Sequence, residues 1–230
     1  MLKWPRKTAF TPHSMTIQFL GVSCFKISTK IGNDEVSIVT DPYSDKIGKL
    51  PRNLSADIVT TSRRTHEHHN NLDAVASGAF VTEHPGEYEV KGVPIYGIPG
   101  LHEKPEPKDY HKNTIFQFTV DDVRVTHLGG LDKPLTDEQL AALGEVDVLM
   151  IPVGGGDVLT AAAAADLVSR MEPRIVIPMH HKMKDLQLAA GGVDPFVKEV
   201  GAKTIETDKW KVSKKDLPQD ETFIVLLSKS

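Results

Sequence analysis

Val146-Asp147-Val148-Leu149-Met150-Ile151-Pro152-Val153-Gly154-Gly155-Gly156 is the stretch that decides how this chain folds. The run from Val146 to Val153 is almost continuously apolar, with none of the polar alternation of a half-exposed strand, so it reads as a strand covered on both faces. Three glycines stop it. A helix is then expected from about Thr160 to Met171, ended at Glu172-Pro173 because the residue before a proline is disfavoured in the α region. Arg174 to Met179 reads as another buried strand, with His180-His181 at its end. Strand, helix and strand in this order predict an α/β fold in which helices cover a sheet.

Working outward, Thr136-Asp137-Glu138-Gln139 has the pattern of a capping box opening a short helix that stops at Gly144. Asp194-Pro195 has the N-cap and first-turn chemistry of another helix, running to Gly201. A last strand is expected over Thr222 to Leu227. The first half of the chain is strand-rich: Thr16 to Leu20, Cys24 to Ser28, Val36 to Thr40, Asp57 to Thr61, Phe80-Val81, Tyr88 to Val90 and Pro94 to Ile98. Ile115 to Val120 and Val123 to His127 form a hairpin candidate through Asp121-Asp122. Residues 1–14 read as an N-terminal extension, and 15–230 as a single domain with two sheets.

The chain has 230 residues, 40% of them hydrophobic and 25% charged, the composition of a globular protein able to bury a sizeable core. A net charge of −4 offers no basic footprint for a phosphate backbone, which argues against nucleic-acid binding. Cys24, the single cysteine, excludes an internal disulfide and a multi-thiolate metal site, and suits a reducing compartment. No apolar run nears the ~20 residues needed to span a bilayer, and the expected location is the cytoplasm. Cys24 falls inside a predicted strand and reads as core. There is no G-x-S-x-G nucleophile elbow.

Candidate chemistry lies in Thr61-Ser62-Arg63-Arg64-Thr65-His66-Glu67-His68-His69-Asn70-Asn71, which follows the strand ending at Thr61. His66, His68 and His69 could offer several nitrogens to one zinc-like ion, neutral imidazole being the commonest ligand for such metals. The spacing is not the H-E-x-x-H of zincins, because Asn70 stands where the second histidine would be. His102 and His180 also sit at strand ends, so imidazoles converge from separate strands, as a metal's ligand shell requires. Because successive strand side chains alternate, only one of His180 and His181 should face the site. Gly154 to Gly156 could hold an anion on backbone N–H groups, but it lacks the P-loop ending and reads better as a tight turn.

Taken together, Thr40-Asp41-Pro42, Ala56-Asp57-Ile58-Val59-Thr60, Pro85-Gly86-Glu87-Tyr88-Glu89-Val90, Asn113-Thr114-Ile115, His127-Leu128-Gly129, Val146 to Gly155 and Ile177-Pro178-Met179-His180 resemble the metallo-β-lactamase superfamily. The similar branch is that of zinc-dependent hydrolases related to ascorbate-6-phosphate lactonase. This resemblance implies a four-layer αββα sandwich whose site lies at one edge of two facing sheets, with metal activating water for hydrolysis. It also implies an H-x-H-x-D-H signature, which this chain lacks. With one residue inserted, the favoured alignment, Arg64 replaces the first histidine and His68 the aspartate, and His66 and His69 are kept. Without it, Arg63 and Thr65 replace both histidines, Glu67 replaces the aspartate, and only His68 is kept. His102 matches the family's isolated histidine and His180 its last. The bridging aspartate of an H-L-G-D motif is replaced by Gly130.

An arginine about 4 Å from a metal would cost ~4 kcal/mol per unit of metal charge at an effective dielectric near 20. The expectation is therefore a metal-dependent hydrolase with a degenerate site holding at most one ion of zinc, manganese or iron, or none. Its ligands would come from His66, His68, His69, His102 and His180, or from a two-histidine, one-carboxylate set of Glu67, His68 and His180. Arg63 and Arg64 would bind a small anionic substrate. The alternative is an inactive member of the fold serving as an anion-binding or protein-interaction module. Association with a second copy of the chain is compatible with either; nucleic acid and membrane are not expected partners.

Overall fold

The structure is a computed structural model that describes residues 14–64, 66–100 and 113–230. Strands β1 (Met15–Gly21), β2 (Cys24–Ile31) and β3 (Asp34–Thr40) form an antiparallel meander, continued in parallel by β4 (Ile58–Thr60) and β5 (Phe80–Thr82). A second sheet begins with β6 (Gly86–Val90), β7 (Val93–Pro99), β8 (Thr114–Val120) and β9 (Val123–His127), all antiparallel. It continues in parallel through β10 (Val148–Pro152), β11 (Ile175–Met179), β14 (Phe223–Leu227) and β12 (Lys203–Thr207). β13 (Lys209–Val212) leaves that sheet and closes the far edge of the first against β1. Among the described residues the sheets have six and eight strands.

The expected burial on both faces is seen residue by residue. All five residues of β10 are buried. Val148 and Met150 enter the core between the sheets, where they join Phe19, Phe25 and Ile38 of the first sheet. Leu149 and Ile151 point the other way into a layer with Leu143, Leu167 and Phe196. Those three belong to the helices α1 (Asp137–Leu143), α2 (Ala161–Met171) and α3 (Asp194–Val200). Full burial of such aliphatic and aromatic side chains stabilises by about 1.5–3 kcal/mol each. On the outer face of the first sheet, Val39 and Val59 pack under Tyr43, Ile47, Leu54, Val75, Leu186 and Leu188. This outermost layer is built largely from irregular segments around 41–56 and 183–190.

Local chemistry explains the element ends. Thr136 and Gln139 form the reciprocal capping box, with Gln139 N donating to Thr136 Oγ1 at 3.2 Å and Thr136 N donating to Gln139 Oε1 at 2.9 Å. Glu172 ends α2 in the left-handed conformation just before Pro173. Asp121 and Asp122 both have positive φ, as a two-residue type I′ hairpin turn demands. Two sequence expectations need correction. Asp194 is the first helical residue of α3, with Val193 as an N-cap that makes no side-chain capping bond. β12 and β13 lie where no strand was expected, because their exposed lysines and glutamate interrupt the apolar signal. No helix among the described residues is long and apolar enough to cross a membrane.

Candidate metal centre

Asp41, Ser62, His127, Asp157 and His180 all follow or end strands that run parallel to a neighbour, so they gather at one edge of the two sheets. Carboxyl ends of parallel strands are where α/β folds build sites. Two of these residues bend the chain sharply. Asp41 and His180 have φ of 40° and 52°, and Val22, whose carbonyl accepts the His180 N–H at 2.6 Å, has φ of 55°. Backbone of this kind is costly in non-glycine residues and collects at functional sites.

Asp41 is the buried anchor. Its Oδ1 accepts Ser62 N at 2.6 Å, and its Oδ2 accepts Ser62 Oγ at 2.6 Å and His69 Nδ1 at 2.8 Å. Burial pushes its carboxyl up to about 6, against the opposing pull of His127, the two Ser62 hydrogen bonds and Arg63. The bond from His69 Nδ1 puts the proton on that nitrogen and leaves a lone pair on Nε2, which is buried without a partner among the described residues. His127 donates through Nε2 to Ser23 O at 2.8 Å. The Nδ1 of His127 has no hydrogen-bond partner among the described residues and lies 4.0 Å from Asp41 Oδ2.

His66, His68 and His69 present ligand atoms within 4.8 Å of one another, and so do His68, Asp157 and His180. His69 and His180 stack with ring centroids 5.7 Å apart, and His68 lies 5.3 Å from His180. Both ring nitrogens of His180 are buried without a hydrogen-bond partner among the described residues. Burial, then the neighbouring His69, lowers His180 to about 3. Burial, then Arg63, holds His69 well below the ordinary histidine value. His68 is lowered by burial and then by His66. Burial alone would raise Asp157, but His180, His68 and Arg63 outweigh it and hold its carboxyl below the usual range. Neutral imidazoles beside an ionised carboxylate are the protonation states that metal ligation needs. A set of buried nitrogens without partners fits an ion better than it fits a packed apolar core.

Of the residues singled out in the sequence, His66, His68, His69, His180 and Arg63 are brought together, and His102 lies outside the described residues. His181 lies beside Phe19, with ring centroids 6.2 Å apart and the rings tilted by 32°. Arg64 turns toward Glu83, 3.1 Å from its carboxylate. Glu67 pairs with Lys46 at 3.5 Å, so the carboxylate beside His68 and His180 is that of Asp157. Asp157 went unread in the sequence because the glycine turn that carries it was weighed only as a backbone feature. The turn is tight, closed by Gly155 N donating to Leu159 O at 2.9 Å. Arg63 reaches across to Asp157 O at 3.0 Å, with the carboxylates of Asp157 and Asp132 at 3.8 and 3.9 Å. A Cβ on Gly130 would lie 2.6 Å from Arg63 Nε and 2.8 Å from His69 Nε2. Glycine at 130 is therefore what lets the arginine lie there.

The fold of two facing mixed sheets is shared with known proteins. A family model for the beta-lactamase superfamily domain matches residues 16–180, and the chain belongs to the metallo-β-lactamase superfamily. It is 30% identical to a solved Thermotoga maritima protein assigned to the zinc-dependent hydrolases of that superfamily, with a TM-score of 0.73 over 93% of this chain and 98% of that one. A UPF0173 protein of Pyrococcus abyssi is 27% identical over 92% of this chain and all of its own length. A UPF0173 metal-dependent hydrolase of Thermococcus onnurineus is 27% identical over 72% of this chain and 84% of its own.

Proposed function

We propose that this protein is a metal-dependent hydrolase that holds one ion on His68, Asp157 and His180 and acts on a small anionic substrate. The observation that carries this reading is His180, a buried imidazole with two unpartnered nitrogens beside a neutral histidine and an ionised aspartate. Two histidines with one carboxylate suit zinc, manganese or iron. Such an ion would supply Lewis-acid activation of water and of the scissile bond near neutral pH. The names of the Thermotoga and Thermococcus relatives support hydrolysis and dependence on metal.

The chain's own groups do the rest. Buried Asp41 and Ser62 fix the orientation of His69 and so the packing of the imidazole stack. Arg63, only 12% exposed, keeps one buried N–H, on Nε, without a partner among the described residues. That donor and the guanidinium charge suit a carboxylate or phosphate group of the substrate. The same unpartnered donor favours a second reading, an inactive module that binds an anion without hydrolysing it.

The test is hydrolysis of a panel of small lactones, phosphate esters and carboxylate esters by protein purified without a metal-affinity tag. Activity lost to a chelator, restored by zinc, manganese or iron, and absent from Asp157→Asn and His180→Ala supports the enzyme. Anion binding that persists with no metal-dependent turnover of any panel member would favour the inactive module.

A further inference from the structure

Among the described residues, two ligand groups overlap at this edge, and they share only His68. If His68, Asp157 and His180 take one ion, the reading this inference builds on, then His66 and His69 remain as nitrogens for another. The lone pair of His69 Nε2 is buried and unpartnered among the described residues, held in that tautomer by Asp41. What stands beside it is a guanidinium. Arg63 Nε and His69 Nε2 flank the same point above Gly130, within 2.6 and 2.8 Å of it. We infer that Arg63 is a built-in cation that keeps a second metal ion off His66 and His69.

Three observations support the assignment. Arg63 is fixed in place, anchored to Asp157 O at 3.0 Å and flanked by the carboxylates of Asp157 and Asp132. Its position requires glycine at 130, since any side chain there would meet Arg63 Nε and His69 Nε2 together. Its charge lies beside the nitrogen concerned, since Arg63 Nε and His69 Nε2 both fall within 2.8 Å of where a Cβ on Gly130 would be. A fixed positive charge beside that lone pair disfavours a divalent ion there. Asp157, shared between the guanidinium and the first ligand group, balances the two. Arg63 thus sets the metal count while presenting an anion-binding donor beside the retained ion.

The experiment compares zinc stoichiometry by elemental analysis and calorimetric titration for wild type, Arg63→Met and Arg63→Lys. Methionine keeps the apolar stem and removes the charge; lysine keeps the charge. The expected result is one additional zinc per chain in Arg63→Met, none additional in Arg63→Lys, and loss of the increment when His69→Ala is added to Arg63→Met. No increment in a folded Arg63→Met overturns the inference, as does a wild type that already holds two. Should Arg63→Met fail to fold, Arg63→Gln, which keeps a donor for the Asp157 carbonyl, is read the same way. The increment tests Arg63, whereas the wild-type count tests the one-ion reading, so the two fail separately.

Discussion

His69 Nδ1 lies 2.8 Å from Asp41 Oδ2, and neither residue reaches solvent. Through Asp41 the end of β3 is tied to Ser62, just past β4, and to the histidine loop beyond it. Asp41→Ala would leave Ser62 N and His69 Nδ1 buried without acceptors, at a cost of about 1–3 kcal/mol for each unmatched group. Asp41→Asn should cost less, because its carbonyl oxygen can still accept a bond and asparagine tolerates the positive φ of this position. Denaturant unfolding of both variants checks the order; equal losses would contradict it.

Gly129 and Gly130 are adjacent but should respond differently to a methyl group. A Cβ on Gly129 would run into Cβ and Oγ of Ser62, whose hydroxyl is already committed to Asp41, and φ there is +61°. A Cβ on Gly130 would meet chiefly the flexible arm of Arg63 and the ring of His69. Gly129→Ala should therefore lower stability by about 2 kcal/mol or more. Gly130→Ala should lower it less while displacing Arg63. Thermal melts of the two variants decide this, and a larger loss at 130 would count against the described packing.

Asp57 joins β3 to the β6–β7 turn, accepting Ser37 N at 2.7 Å, Ser37 Oγ at 3.0 Å and Lys91 Nζ at 2.6 Å. Burial raises its carboxyl, but the bonds from Lys91 and Ser37 prevail and hold it below the ordinary 3.8. The folded state thus binds this proton less readily than the unfolded chain does. The stability contributed is fully present above pH 3.8 and is lost as pH falls through the lower folded value. Asp57→Asn should cost about 1 kcal/mol at neutral pH. The gap from wild type should close in acid, and a gap that stays constant with pH would refute the assignment.

Thr136→Ala should cost about 1 kcal/mol by removing the hydroxyl that accepts Gln139 N at the start of α1, while Thr136 N can still donate to Gln139 Oε1. Urea midpoints with unchanged slope would register it. The same helix shows what was legible in the sequence. Its cap, the I′ turn at Asp121-Asp122, and the doubly buried β10 and β11 all follow from short-range rules, and all are found. β12 and β13 escaped because Lys203, Glu206, Lys209 and Lys211 face solvent from edge strands, and pairing across the sheet outweighs their polarity. At the candidate site, histidine spacing pointed to the edge where His66, His68, His69 and His180 meet but could not find Asp157, which is 89 positions from His68 and 23 from His180 in sequence. Nor could it separate Arg63 from Arg64. Adjacent residues on an irregular loop carry no periodicity that says which one turns inward.

The most direct test of the account is the metal content of tag-free protein after incubation with excess zinc and exhaustive dialysis. One ion per chain is predicted, falling to near zero in Asp157→Asn and in His180→Ala while both variants stay folded by circular dichroism. A wild type that retains no ion, or a count unchanged by removal of the Asp157 carboxylate, would contradict it.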